Sequence, residues 1–217
     1  MDRHGSVEVQ RKTKTMTYKV SDNLAEFHKL AEGFETSTYR DSGGVLTIGI
    51  GHANQDTAAF AEGDTWSERQ CLDVWRADVA VAEKHANNNI SVDNCPQELF
   101  DAYVDLIFNT GVVPKTLARK VNVGDFEGAT EELPKWVYVN GEVVGGLVKR
   151  RMAMYAYVKG GNWEEILKYP LKTRSESSMA GFNELLAKWG YEFVAKPNTS
   201  KKFALEPRSV AWQLCIC

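Results

Sequence analysis

Apolar residues recur along this chain at two spacings, and the switch between them marks out its elements. From Asp22 onward, Leu24, Phe27, Leu30, Ala31 and Phe34 fall three or four positions apart. That is the period of one helix face, so the pattern predicts a helix from about Asp22 to Gly33, with Ser21 or Asp22 as N-cap. Over residues 38–51 the spacing drops to two. The cluster Asp41-Ser42-Gly43-Gly44 separates two β-rich runs there, which predicts a hairpin. On the returning strand Leu46, Ile48 and Ile50 share one face, and Val45, Thr47 and Gly49 share the other. Thr47 is therefore expected to point away from the continuous apolar face.

Helical spacing then resumes. Thr65/Glu68 and Ser67/Gln70 form two overlapping capping boxes, opening a helix that should run to about Ala86. Pro96 suits the first turn of the next helix. That helix carries Leu99, Phe100, Tyr103, Val104, Leu106, Ile107 and Phe108 nearly all round, the mark of a buried central helix. Short helices are expected over 114–121 and 126–133, a longer one over 146–159, and another start at Asn162. Residues 172–178 read as a linker before a last amphipathic segment, 182–189. Residues 1–20 show no period and are expected to form a flexible arm. The chain thus divides into an arm (1–20), a domain (21–163) and an extension (164–217). Trp189, Tyr191, Phe193 and Trp212 are spread along the extension rather than clustered, which favours packing on the helical body over a separate binding appendage. Trp66, Trp75, Trp136 and Trp163 are expected as core anchors.

Composition narrows the function classes. At 217 residues, 43% hydrophobic and 25% charged, the chain can bury a core. Its net charge of −3 conceals an acidic middle. Residues 32–163 carry a net −7, and the flanks carry +2 each. No basic domain marks a nucleic-acid binder. No run approaches the roughly 18 apolar residues of a membrane span, so stable membrane insertion is not expected. Residues 1–20 lack the apolar core of a signal peptide, so none is expected. The four cysteines lack scaffold spacing, and Cys215 and Cys217 read as tail thiols. The histidines at 4, 28, 52 and 85 lack ligand spacing, so neither a metal nor a cofactor is expected.

Three residues carry candidate chemistry. Glu32 ends the first helix, Asp41 lies in the hairpin turn, and Thr47 lies on the returning strand. A helix end packed on a hairpin would form a cleft with one carboxyl on each wall. The helix C-terminus and the apolar neighbours Leu30, Phe34 and Ile48 would favour the protonated form of Glu32. A wet, glycine-rich turn would keep Asp41 ionised. Two carboxyls in contrasting environments are what glycoside hydrolysis needs. From spacing alone, an ordinary pair of surface charges remains the simpler reading.

The residues around them sharpen the reading. Glu32-Gly33, then Tyr39-Arg40-Asp41-Ser42-Gly43-Gly44-Val45-Leu46-Thr47-Ile48-Gly49-Ile50-Gly51-His52, resembles the signature of the phage-type lysozymes, glycoside hydrolase family 24. Phe108-Asn109-Thr110-Gly111, Trp136 and Gly146-Leu147-Val148-Lys149-Arg150-Arg151 resemble later blocks of that family, in the same order. The likeness spans about residues 22–159. It implies an α+β, lysozyme-like fold: a small β-hairpin lobe and a larger helical lobe, with a cleft between them. The implied activity is hydrolysis of the β-1,4 bond between N-acetylmuramic acid and N-acetylglucosamine of bacterial peptidoglycan, with inversion and without a cofactor. By the same resemblance Glu32 is the general acid, and Asp41 with Thr47 handles the attacking water. Phe108, Asn109 and Arg150 are candidate substrate contacts, although Phe108 could be plain core and Arg150 could pair with a site acid. Of Arg150 and Arg151, at most one is expected to face the cleft. Gly43, Gly49 and Gly51 are expected to shape the backbone, His52 to be a hydrogen-bonded structural residue, and Glu35 to be exposed. The resemblance also implies a monomer held in the host cytoplasm until a holin gives access to the wall. A virion-associated entry lysozyme and a catalytically silent wall-binding module are the alternatives.

Overall fold

Helix α1 (Asp22–Glu32) buries Leu24, Ala25, Phe27 and His28 and stops at Gly33. In this computed structural model the described residues are 16–41, 43–53, 60–171, 176–188 and 190–193, with 176–179 described by backbone alone. The arm over 1–15, the turn residue Ser42, the linker residues 172–175, Trp189, Trp212, Cys215 and Cys217 lie outside them.

After α1 the chain enters an antiparallel sheet in the order β1-β2-β3. Strand β1 (Glu35–Arg40) pairs with β2 (Leu46–Gly49), placing Tyr39 opposite Thr47 and Glu35 opposite Gly49, with an irregularity between them. The expected hairpin has a third strand, β3 (His52–Ala53), which the two-residue pattern did not anticipate. Gly49 and Gly51 make the reversal possible: both adopt left-handed backbone, at φ +68° and +67°. The free edge of β1 is covered by the segment before the next helix. Thr38 donates its N–H to the Asp64 carbonyl, and Trp66 donates to Thr36. Thr65 bridges to Ser37 in that segment, so the Thr65/Glu68 box does not form and Ser67/Gln70 caps the helix with both of its bonds.

Helix α2 (Glu68–Asn89) runs three residues past the expected end. At 1.5 Å per residue it is roughly 33 Å long, enough to touch both lobes. Near its start Cys71 lies against Gly49, and Asp78 accepts from His52 Nδ1 at 2.9 Å. Further along it packs on α3 (Gln97–Thr110). Pro96 precedes α3 at its N-cap rather than in its first turn. Every residue of α3 from Leu99 to Ile107 is buried, as its all-round apolar pattern requires. Helices α4 (Lys115–Asn122) and α5 (Phe126–Thr130) follow. The expected helix over 126–133 breaks after Thr130, and a separate 3-10 turn covers Leu133–Lys135. A small unexpected hairpin, β4 (Tyr138–Val139) with β5 (Glu142–Val143), leads into α6 (Gly145–Val158).

Two boundaries read from the sequence move. The division at 163/164 falls at the start of α7 (Trp163–Lys168), whose Ile166 is fully buried in the common core. Helix α8 (Glu176–Ala187) starts six residues before the expected segment, and Phe182, Leu186 and Phe193 join the same core. The described residues of this part, Ile166, Leu171, Phe182, Leu186 and Phe193 among them, therefore pack into the core of the helical body. At the other end the expected arm is strapped down before residue 20. Tyr18 is buried, stacks on Phe100 at 5.0 Å, donates to the Val92 carbonyl and accepts from Cys95 N–H. The tryptophan expectations divide. Trp75 is fully buried, and Trp136 and Trp163 pack half-buried against the core. Trp66 instead joins His52 and Phe60 in an aromatic group beside the sheet.

Candidate active site at the junction of the lobes

Glu32 occupies the last turn of α1, where the helical lobe meets the sheet. The approach there is close. A Cβ on Gly51 would come within 3.4 Å of Glu32 Cβ, and φ +67° at that position also favours glycine. The Glu32 side chain is 18% exposed. Its Oε1 accepts a hydrogen bond from Arg150 Nη1, on α6. Among the described residues no hydrogen bond reaches Oε2. The apolar setting expected for Glu32 is thus replaced by a guanidinium.

Arg150 is not spread on the surface to meet substrate. The residue is 7% exposed, and its Nε and Nη2 donate to Asp105 Oδ1 at 3.0 and 2.6 Å. Its charge is committed to Asp105 and Glu32, which is the pairing with a site acid that the sequence left open beside a substrate contact. Arg151 turns to the same place. It donates to Asp105 Oδ2 at 3.2 Å, to Asn109 Oδ1 and to the Trp136 carbonyl. Arg151 is fully buried, and both arginines converge on one carboxylate in a structural ion-pair cluster. Long side chains reaching from α6 to α3 make this possible.

The network continues behind Asp105. His28 Nε2 lies 3.1 Å from Asp105 Oδ1, and Trp75 Nε1 lies 2.9 Å from His28 Nδ1. An indole N–H can only donate, so His28 Nδ1 accepts and Nε2 carries the hydrogen given to Asp105. The chain of contacts therefore runs Trp75, His28, Asp105, Arg150, Glu32 through a buried interior. Burial alone would raise the Asp105 carboxyl. The charge of Arg150, the His28 hydrogen bond and the charge of Arg151 together outweigh it and hold Asp105 well below the usual carboxylate range. Burial likewise acts to lower Arg150, and its two carboxylate partners more than reverse this. Phe108, half-buried, stacks on the His28 ring at 4.8 Å, and Asn109 is engaged by Arg151.

On the sheet side, Asp41 is fixed by its own turn. Its Oδ1 accepts from Gly43 N–H at 2.9 Å and Val45 N–H at 2.8 Å. Thr47 Oγ1 donates to the Val45 carbonyl at 3.1 Å. Asp41 and Thr47 thus clasp the same residue from its two polar ends. Thr47 is buried, at 3% exposed, although it lies off the apolar face. The antiparallel register sets Glu35, exposed, against Gly49 and so roots the hairpin beside the end of α1. His52 forms its hydrogen bond with Asp78 from the next strand.

His28 and Asp105 were not singled out from sequence. A signal existed for both. His28 is four residues before Glu32 and therefore on the same helix face. Asp101 and Asp105 are also four apart, inside the otherwise apolar stretch from Leu99 to Phe108 of α3. A charged residue in such a helix needs a partner. Among the described residues no group of three His, Cys, Asp or Glu side chains is assembled to hold a metal ion. No helix there is long and apolar enough to cross a membrane.

Comparisons with known proteins bear on this geometry. A model of the phage lysozyme family matches residues 29–154, more than half of the chain. An endolysin of the type called SAR-endolysin, from Bacteriophage PS119, is 33% identical over 123 residues, covering 55% of this chain and 71% of that protein. The solved endolysin from Escherichia coli O157:H7 phage FAHEc1 superposes with a TM-score of 0.56 at 27% identity, covering 67% of this chain and 95% of the other. The muramidase domain of SpmX from Asticaccaulis excentricus superposes with a TM-score of 0.52 at 25% identity, covering 64% and 97%.

Proposed function

The chain belongs to the phage lysozyme family and is a peptidoglycan-hydrolysing glycoside hydrolase; on that footing we propose how its residues divide the work. Glu32 is the general acid. Arg150 holds Oε1, which leaves Oε2 to carry the proton to the glycosidic oxygen as the bond to the anomeric carbon breaks. Asp41 is the base. Its Oδ1 is locked by two backbone N–H groups, so Oδ2 is the oxygen available to a water. Thr47 gives its hydroxyl hydrogen to Val45, so its oxygen can only accept, and it orients that water by accepting one of its hydrogens. The water attacks the anomeric carbon from the side opposite the leaving group and loses a proton to Asp41. The product has inverted configuration. Such a site needs its carboxyls roughly 6.5–9.5 Å apart, to leave room for the water.

The observation that carries this reading is the contrast between the two carboxyls. One is anchored by a buried cation on a helix end, and the other is built into a backbone turn. Glu32→Gln should abolish release of reducing muramic-acid ends from purified peptidoglycan, by at least about 10²-fold, with folding intact. Mass spectrometry of the digest reads the outcome. An active Glu32→Gln variant rejects the acid assignment. Anhydro ends from the unmodified protein would reject hydrolysis, and freed peptides would indicate an amidase. We also propose that the protein acts as a monomer and is held from its substrate until a membrane-permeabilising partner, a holin, opens the way.

A further inference from the structure

We propose that Asp105, oriented by His28, together with Arg151, acts as a positioning pair behind Glu32: by fixing the net charge of the buried cluster on which Glu32 rests, it sets the pH range in which Glu32 can donate a proton.

The inference rests on the reading of Glu32 as the general acid and goes beyond it. Among the described residues the charged or titratable groups gathered here come from three helices. Helix α1 supplies His28 and Glu32, α3 supplies Asp105, and α6 supplies Arg150 and Arg151. Helix α2 adds neutral Trp75, and the turn before β3 adds Gly51. The tautomer forced by Trp75 leaves His28 uncharged. Asp105, Arg150 and Arg151 then sum to +1. An ionised Glu32 brings the cluster to zero, and a protonated one leaves it at +1. A general acid must hold its proton until the transition state, yet a buried cation touching it favours the carboxylate. Without Asp105 the field on Glu32 would be that of two buried cations, and the proton would be lost at lower pH. Without Arg151 the remaining charges cancel, and the proton would be held to higher pH. Asp105 also holds Arg150 by two of its nitrogens, so that Nη1 is the one presented to Glu32.

The test compares the full chain with Asp105→Asn, Arg151→Gln, Arg151→Lys and the double variant Asp105→Asn/Arg151→Gln. Initial rates of peptidoglycan hydrolysis at low substrate, proportional to kcat/KM, are read across pH. Asp105→Asn should move the basic limb of the profile down by about one pH unit or more, which is about tenfold in rate on that limb. Arg151→Gln should move the limb up. The double variant restores the +1 sum and should return the limb toward its original place. Arg151→Lys keeps the charge and should leave the limb unmoved, whatever it does to the rate. If Asp105→Asn does not fold, the opposite displacement in Arg151→Gln carries the test. A purely structural role would lower the rate at all pH values without moving the limb, and that result overturns the proposal. So does a limb that moves equally in Arg151→Gln and Arg151→Lys. Glu32→Gln separates the two failures. If it is active, the acid assignment itself is wrong. If it is inactive while the limb stays fixed in the charge variants, only the positioning role is wrong.

Discussion

At the scale of single residues, the site depends on how each oxygen is already spent. Asp41 uses Oδ1 to close its turn, and an asparagine oxygen can accept the same two N–H bonds. Asp41→Asn should therefore keep the hairpin while losing the base. The expected loss is about 10²–10⁴-fold in hydrolysis, with an unchanged circular dichroism spectrum and melting temperature. If activity is retained, another group moves the water's proton. Thr47 separates in the same way. Thr47→Ser keeps an accepting oxygen and should lose little activity, whereas Thr47→Val removes it and should lose more. Equal activities in the two variants would deny the hydroxyl a role. The parts of this constellation legible in sequence were the ones with local causes. Asp41, Gly43 and Val45 lie within one turn, which the cluster of Asp41 with its glycines predicts. The anchor of Glu32 had no local cause to read, because Arg150 stands 118 positions away, and only the family resemblance offered its pairing with a site acid.

At the scale of elements, the helices hold their places through buried polar knots as well as apolar faces. Ser21, Tyr157 and Gln97 all donate to Asp101, which ties the start of α1 to α3 and α6. The segment before α1 is tied by Tyr18, whose hydroxyl takes the buried Cys95 N–H. Tyr18→Phe keeps the stack on Phe100 but removes the hydroxyl that joins Cys95 N–H to the Val92 carbonyl, so a loss of about 1–3 kcal/mol is expected in denaturant unfolding. A change within error would mean that water reaches Cys95. Helices α7 and α8 belong to the same body. Ile166 is fully buried, and Ile166→Ala should cost about 2–5 kcal/mol, the range for truncating a core aliphatic. Ending the chain at residue 163 should prevent stable folding, because it also strips Leu171, Phe182 and Leu186 from the core. The sequence showed these apolar residues without showing what they cover. Amphipathic spacing predicts that a face is buried, and only docking identifies the surface that buries it.

At the scale of the whole molecule, two buried aspartates pull its pH dependence in opposite directions. Asp105 is held below its ordinary range, so it contributes stability above about pH 4 that is lost as the pH falls. Glu132, held down by Lys120 and Lys135 against the effect of its burial, contributes with the same sign. Asp101 is raised. Burial dominates there, and its neutral donors only partly offset it. The native state then binds more protons than the unfolded chain between about pH 4 and the raised value, so this stability is present in acid and lost as the pH rises. The melting temperature should accordingly peak on the acid side of neutrality. Asp101→Asn should flatten the fall above the peak, as read from thermal unfolding between pH 3 and 8. An unchanged slope would place the loss in other groups. The net −7 over residues 32–163 gave no hint of this, since it counts charges without their surroundings. The sequence by itself determined the local elements, the turn that shapes Asp41, the central buried helix and the family, because periodicity, capping and turn chemistry act between near neighbours. The tertiary structure alone decided that Arg150 and Arg151 meet on Asp105, that Glu32 rests on Arg150, and that Tyr18 and α7 belong to the core. Those partners are chosen by which faces pack together, and buried charges far apart along the chain pair only once packing has removed water from between them.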